Sequence, residues 1–287
     1  LYLQSKGALK LAKKLALKHE LWTILVNISN WQKKLIEKDN YSGQDDNTIQ
    51  HILKEDRKVS RIIENYFEFW GIKSRFFSLM YKQGQARSEV GKMRFKSILS
   101  TPFMRSEKKA LSVDAKYLYN HIYSAYYFSI NHFENCYKHL VKNEHIIDAN
   151  PAVFEEEPNA YFAVLTNIIY VGIRLKKFQK VDVFLKKLYA CAEQLNKTKN
   201  LDIKLKLFGS INSLELHMYI QRAMFEKAYD LIPKIEHGLK RYKDHLSPIR
   251  KADFLYNMAV VCFSLQYFSE SNRFINNLLN TKGLDES

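Results

Sequence analysis

Five residues of metal-binding type, His121, His132, Cys136, His139 and His145, fall within one short stretch, and Cys136 and His139 stand one helical turn apart, close enough to share an ion. A structural zinc site takes four ligands, usually as two spaced pairs, and no second pair accompanies this one. The stretch therefore reads as a core thiol beside surface histidines. Gly84 to Lys92 has the outline of a phosphate loop, but six residues separate Gly84 from Gly91 where the motif has four, and Met93 stands where a hydroxyl should hold magnesium. No HExxH, GxSxG or dinucleotide fingerprint occurs, and Ser, His and Asp are scattered singly over helical patterns. The expectation is a chain that is not an enzyme and needs no metal or cofactor.

A second set of residues points to binding instead. Tyr66, Phe67, Phe69, Trp70, Phe76, Phe77 and Tyr81 interleave with Arg57, Lys58, Arg61, Lys73 and Arg75, the composition of a base-stacking platform edged with cations. The same spacing also fits a packed helix with a solvated basic face. The formal charge of +15 is uneven: residues 51–110 carry 14 Lys+Arg against 6 Asp+Glu, residues 161–200 carry 8 against 2, and residues 111–160 carry 3 against 7. Such patches favour an anionic partner, either nucleic acid on helices around 54–109 and 174–187 or an acidic peptide.

The elements that must position these side chains are helices. Nine glycines and five prolines in 287 residues leave few turns, while Leu, Lys, Phe and Tyr abound, and no segment combines two-residue alternation with hairpin turn signals. The fold class is all-α. Cys136, Cys191 and Cys262 lie singly on apolar helical faces, which fits buried thiols in a reducing compartment. Tyr161 to Ile173 is the longest nearly apolar run and is too short to span a bilayer, and no opening stretch has the make-up of a signal peptide. The expected location is cytoplasmic, with no membrane partner.

Apolar residues recur at helical spacing over Gly7–His19 (Ala8, Leu11, Ala12, Leu15), over Leu21–Leu35 (Leu21, Ile24, Leu25, Ile28, Trp31, Leu35) and over Ile49 to about Lys82. A loop is expected over Asp39–Asn47, with Ser42-Gly43 and Asp45-Asp46. A shorter helix runs from Ser88 to Leu99, ended by Ser100-Thr101-Pro102. From Ser112 a repeat becomes measurable. Phe133, Phe178, Phe225 and Phe268 open the second helix of successive hairpins, and three residues later come Cys136, Val181, Ala228 and Ser271, each small or β-branched. Leu140, Leu185, Ile232 and Ile275 complete the register, as a close helix contact needs small residues flanked by large ones. The expected segments are a hairpin over 1–38, a divergent helical pair or spacer over 39–111, and four hairpins over 112–287, the whole compatible with one continuous array.

Tyr256 to Ser271 carries a small residue on its first helix (Ala259), an aromatic at the turn (Phe268) and a small residue after it (Ser271), and here the chain resembles the tetratricopeptide-repeat family. Thr166 to Val181 matches more loosely, aligning Asn167 with Asn257 and Phe178 with Phe268. The copies are longer than the family's period, and its turn glycine and its Trp and Pro landmarks do not recur. The likeness is thus to a tetratricopeptide-like α-solenoid, a right-handed superhelix of antiparallel helical hairpins. It implies a scaffold that holds a protein or peptide on its concave face, lined by the first helix of each hairpin. That register places His121, Ala125 and Ser129, then Thr166, Tyr170 and Arg174, then Ser213, His217 and Gln221, then Tyr256, Val260 and Ser264 in the groove, with Asn167 and Asn257 one step round. An amide there can donate to and accept from a ligand backbone at once. Arg174 would select acidic ligands. The alternatives are a nucleic-acid-binding helical repeat and a peptide-sensing regulatory module whose effector domain lies elsewhere.

Overall fold

A computed structural model describes residues 2–42, 46–86, 88–155, 157–197 and 200–281. The expected loop positions Gly43 and Asp45, like Arg87 of the phosphate-loop outline and Glu156 of the consecutive acids Glu155, Glu156 and Glu157, lie outside them. Among the described residues every regular element is helical. The α-helices are α1 (Tyr2–Lys18), α2 (Trp22–Lys38), α3 (Asp46–Gln83), α4 (Glu89–Ile98), α5 (Val113–Ser129), α6 (Phe133–Ala149), α7 (Pro158–Arg174), α8 (Phe178–Asn196), α9 (Leu201–Gln221), α10 (Phe225–Tyr229), α11 (Ile232–Arg241), α12 (Pro248–Ser264) and α13 (Phe268–Leu279). Two 3-10 turns, Pro102–Arg105 and Glu107–Lys109, join α4 to α5. Ser88, Ser112, Asn200 and Ser247 start α4, α5, α9 and α12, their side-chain oxygens accepting from first-turn amides.

One turn is used five times. Glu20, Asn131, Lys176, Ala223 and Gln266 adopt left-handed backbone, with φ of 49°, 59°, 55°, 54° and 63°, and in every case the next helix begins two residues later on an aromatic: Trp22, Phe133, Phe178, Phe225, Phe268. The residue between donates its amide to the carbonyl five positions back, as Leu21 to Ala16, His132 to Tyr127, Lys177 to Gly172, Met224 to Tyr219 and Tyr267 to Cys262, at 2.8–2.9 Å. This is the paired-bond helix ending normally built on glycine, here made by five other residues. It turns each helix back on the one before, so that α1 packs with α2, α5 with α6, α7 with α8, α9 with α10, and α12 with α13. The small positions three residues after the four Phe starts are all interior: Cys136 is 2% exposed, Val181 and Ala228 0%, Ser271 3%. Leu140, Leu185 and Ile232 are buried beside them, but Ile275 is 40% exposed and Phe274 fills the layer in its stead. The second helix of the third pair is also split, because Pro233 lacks the amide that would join it to the turn before; α10 stops at Tyr229 and α11 starts at Ile232.

Two compact units divide at Glu157/Pro158. The repeat register assigns α5 and α6 to the same array as the later hairpins, whereas in the structure they belong to the first unit, where α5 packs on α3. Phe69, Ile72 and Phe76 of α3 meet Ala115, Leu118 and Ile122 of α5, with Phe95 and Met104 in the same interior. Each such ring or branched chain, fully buried, contributes about 1.5–3 kcal/mol. Ala16, Leu25 and Ile28 pack α1 and α2 with Val59 of α3. Leu11, Leu15, Leu21, Ile24 and Trp31, all on the expected apolar stripes, are instead exposed, since these two helices carry apolar residues on more than one side and bury only the side facing Ala16 and Leu25. In the second unit, one interior joins α7, α8 and α9 through Phe162, Leu165, Leu188 and Leu214, and another joins α9 to α13 through Leu216, Ile235, Phe254 and Met258.

Candidate functional site

Within the second unit α9 lies against both α7 and α12, so the first helices of three successive pairs are neighbours. Their inward stripes are apolar: Ile169 and Ile173 on α7, Leu214 and Met218 on α9, Met258 and Cys262 on α12. Residues one step round each helix therefore come up side by side on a shared face.

That face carries a row of polar side chains. On α7 the Arg174 guanidinium stands 5.2 Å from the centre of the Tyr170 ring, and the ring in turn faces His217 of α9, with centroids 6.2 Å apart and planes 20° from parallel. Ser213, one turn before His217, donates its hydroxyl to Asp253 of α12 at 3.0 Å. Asn257 donates to the same Asp253, at 3.1 Å to its carboxylate and 2.7 Å to its backbone carbonyl. Burial pushes the His217 pKa below its ordinary value, against the opposing pull of Asp253 and with the help of Arg174. The imidazole is consequently neutral at physiological pH, offering one donor and one acceptor.

Arg222, at the end of α9, holds the row's frame in place. Its guanidinium donates to the Phe178 carbonyl at 3.0 Å and to Asp182 at 2.8 Å, tying α9 to the start of α8. The ring of Phe178 lies beneath it, 4.9 Å from the guanidinium carbon.

Of the residues singled out in the sequence, Tyr170, Arg174, His217 and Asn257 are brought into this row. Tyr256 adjoins it on α12 and is 59% exposed. Asn167 and Gln221 are exposed on α7 and at the end of α9, and Thr166 turns its hydroxyl back to the Ala163 carbonyl at 2.9 Å. His121 belongs to the first unit, where it is clasped between Phe77 and Tyr117, at 5.0 and 5.8 Å with planes 16° and 11° from parallel. Asp253, the hub of the row, went unmarked in the sequence. Its signal is its place four residues before Asn257, on the same helical face.

The histidine-rich stretch around Cys136 is spread over separate environments. His139 bonds Asn120 at 2.9 Å, His145 lies 3.4 Å from Glu144, and Cys136 is interior. Among the described residues no three His, Cys, Asp or Glu side chains converge as a metal would require, and no helix is long and apolar enough to cross a membrane. Comparison with known proteins adds no relative: no family model, no curated protein and no solved structure matches the chain.

Proposed function

We propose that the chain is a non-enzymatic binding scaffold that takes an extended peptide or protein segment across the shared face of α7, α9 and α12. The observation that carries this reading is the row formed by two linked groups, Arg174, Tyr170 and His217 and then Ser213, Asp253 and Asn257, drawn from three helices, with His217 and Ser213 one turn apart on α9 and the exposed Tyr256 at the edge. A peptide main chain needs alternating donors and acceptors, and a ring on which to lay a side chain; the row supplies both. Arg174 gives it a preference for acidic side chains. The five like turns and the buried small positions support the tetratricopeptide-like solenoid as the frame, and three buried free thiols support a reducing, cytoplasmic setting.

Selection of a displayed random-peptide library on the whole chain tests the reading. Selected peptides should lose roughly tenfold or more in affinity to Tyr256→Ala combined with Asn257→Ala, with an unchanged Tm. Peptides that bind the double variant as tightly as the parent would overturn it.

A further inference from the structure

The first unit carries a separate surface whose chemistry is of another kind. Asn65, Phe69, Ile72 and Phe76 form the stripe by which α3 packs on its neighbours, and the same stripe continued toward the N-terminus meets Arg61, Lys58 and Lys54. α3 has 38 residues and α5 has 17, so α5 can cover less than half of it. The half beyond α5 is packed by α1 and α2 on the side of Val59, and its other side borders a groove of about 640 Å³, lined by Lys54, Arg57, Lys58, Arg61, Ile62 and Leu111 among others.

Its far wall is fixed in place. Asn65 donates to the Lys109 carbonyl at 3.0 Å and accepts from the Leu111 amide at 2.9 Å, and Val113 donates its amide to Glu20 at 2.7 Å, so the segment bearing Leu111 is tied at both sides. The acids of this part of α3 are already paired: Glu55, which with His51 also lines the groove, pairs with Lys13 of α1 and lies 3.5 Å from His51, and Asp56 pairs with Lys33 of α2 at 2.5 Å. Lys54, Arg57, Lys58 and Arg61 are all exposed, at steps of three and four residues. Like charges so spaced on one helix repel one another and are a cost to the free protein, which an anionic partner would remove.

We propose that this groove docks an acidic, amphipathic peptide segment, its carboxylates on the four cations and its aliphatic side chains on Ile62 and Leu111. The apolar floor decides against nucleic acid, since a phosphate backbone would leave Leu111, 38% exposed, without use. The rings that would stack bases stand elsewhere: Phe67, Trp70 and Tyr81 are 61%, 50% and 81% exposed, but their register puts them on the opposite side of α3. Exposed Glu64 and Glu68, on the next two turns, close the cationic run and would repel a polyanion continuing along the helix.

The site lies in the first unit and does not depend on the α7, α9 and α12 face. The test is fluorescence anisotropy on the whole chain with three labelled probes of equal length: a helical peptide with Glu at i, i+3, i+4 and i+7 and Leu along the adjoining stripe, polyglutamate, and oligouridine RNA. The Glu/Leu peptide should bind best, weaken roughly tenfold or more in Arg57→Glu with Arg61→Glu, and weaken in Leu111→Ser, with far-ultraviolet circular dichroism and Tm unchanged. Lys54→Ala with Lys58→Ala, a milder change, should weaken it in the same direction. Equal binding of polyglutamate, tighter and steeply salt-dependent binding of RNA, or indifference to both charge variants would each overturn the proposal. So would a self-associated species in sedimentation that the charge reversal abolishes, which would make a second copy the occupant.

Discussion

The Tyr170 ring on α7 and the His217 imidazole on α9 lie 6.2 Å apart with their planes 20° from parallel, although 46 residues of chain separate them. The Arg174 guanidinium lies 5.2 Å from the centre of the same tyrosine ring, so one ring meets both an imidazole and a cation. A contact of this kind contributes about 0.5–1.5 kcal/mol beyond the area it buries. In a double-mutant cycle with Tyr170→Leu and His217→Leu, chemical denaturation should therefore give a coupling energy of that size. Strictly additive effects would mean that the two rings are neighbours without interaction.

The repeated turn makes a sharper prediction. Lys176, Ala223 and Gln266 each hold a left-handed conformation that costs a residue with a Cβ about 1–2 kcal/mol, and all three are exposed. Glycine removes that cost but loosens the unfolded chain, so Lys176→Gly, Ala223→Gly and Gln266→Gly should each stabilise by about 0.5–1 kcal/mol net. Ala252→Gly, inside α12, should instead destabilise by about 1 kcal/mol. Lower Tm for the three turn variants would refute the left-handed assignment.

These turns show how far the sequence could be read. Phe133, Phe178, Phe225 and Phe268 mark the second helices by position alone. Cys136, Val181, Ala228 and Ser271 mark the tight contacts, because a close helix crossing demands a small residue at the same offset in every pair. The residues that make the turns were invisible, since Lys, Ala and Gln do not ordinarily announce a left-handed position as glycine does. The N-terminal pair misled for a different reason. Its stripes through Leu11, Leu15 and Trp31 are as apolar as the side that faces the core, and periodicity does not choose between two apolar sides. In the second unit, helical register alone was enough to group Tyr170 with Arg174 and His217 with Ser213. Asp253 as the hub depended on which helices are neighbours, which no local pattern encodes.

Two glycines of the second unit should respond in opposite ways to one added methyl group. A Cβ on Gly238 of α11 would fall 2.0 Å from Cε2 of Phe208, whose ring is already held by Phe254 and Tyr242 at 5.6 and 5.4 Å. Gly238→Ala should cost about 1–3 kcal/mol despite its better helix propensity, because the ring has to leave its place. A Cβ on Gly209 of α9 would fall 2.1 Å from Nη1 of Arg250, the end of an exposed and flexible side chain that can swing aside. Gly209→Ala should be neutral or stabilising by up to about 1 kcal/mol. Thermal melts that rank the two variants the other way would remove this account of the α9, α11 and α12 packing.

His121 is one of the buried histidines, with His139 and His217, through which acid acts on stability. Burial first, and then the charge of Lys73 from α3, push its pKa down to about 4, while Phe77 and Tyr117 enclose it on both faces. In the unfolded chain the same imidazole takes up its proton near pH 6.5. Between those two values the unfolded state binds the proton and the native state does not, so this group's contribution is fully present above about pH 7 and is lost as pH falls toward 4. His121→Phe keeps a flat ring between Phe77 and Tyr117 and removes the titration. Asp114 and Glu20, whose carboxyls burial raises, act with the opposite sign at lower pH and remain in both proteins, so the difference between parent and variant isolates the histidine. From about pH 7 to about pH 5 the parent should lose up to about 2 kcal/mol more than His121→Phe in urea unfolding. Parallel losses in the two proteins would show that His121 is charged in its place between the rings.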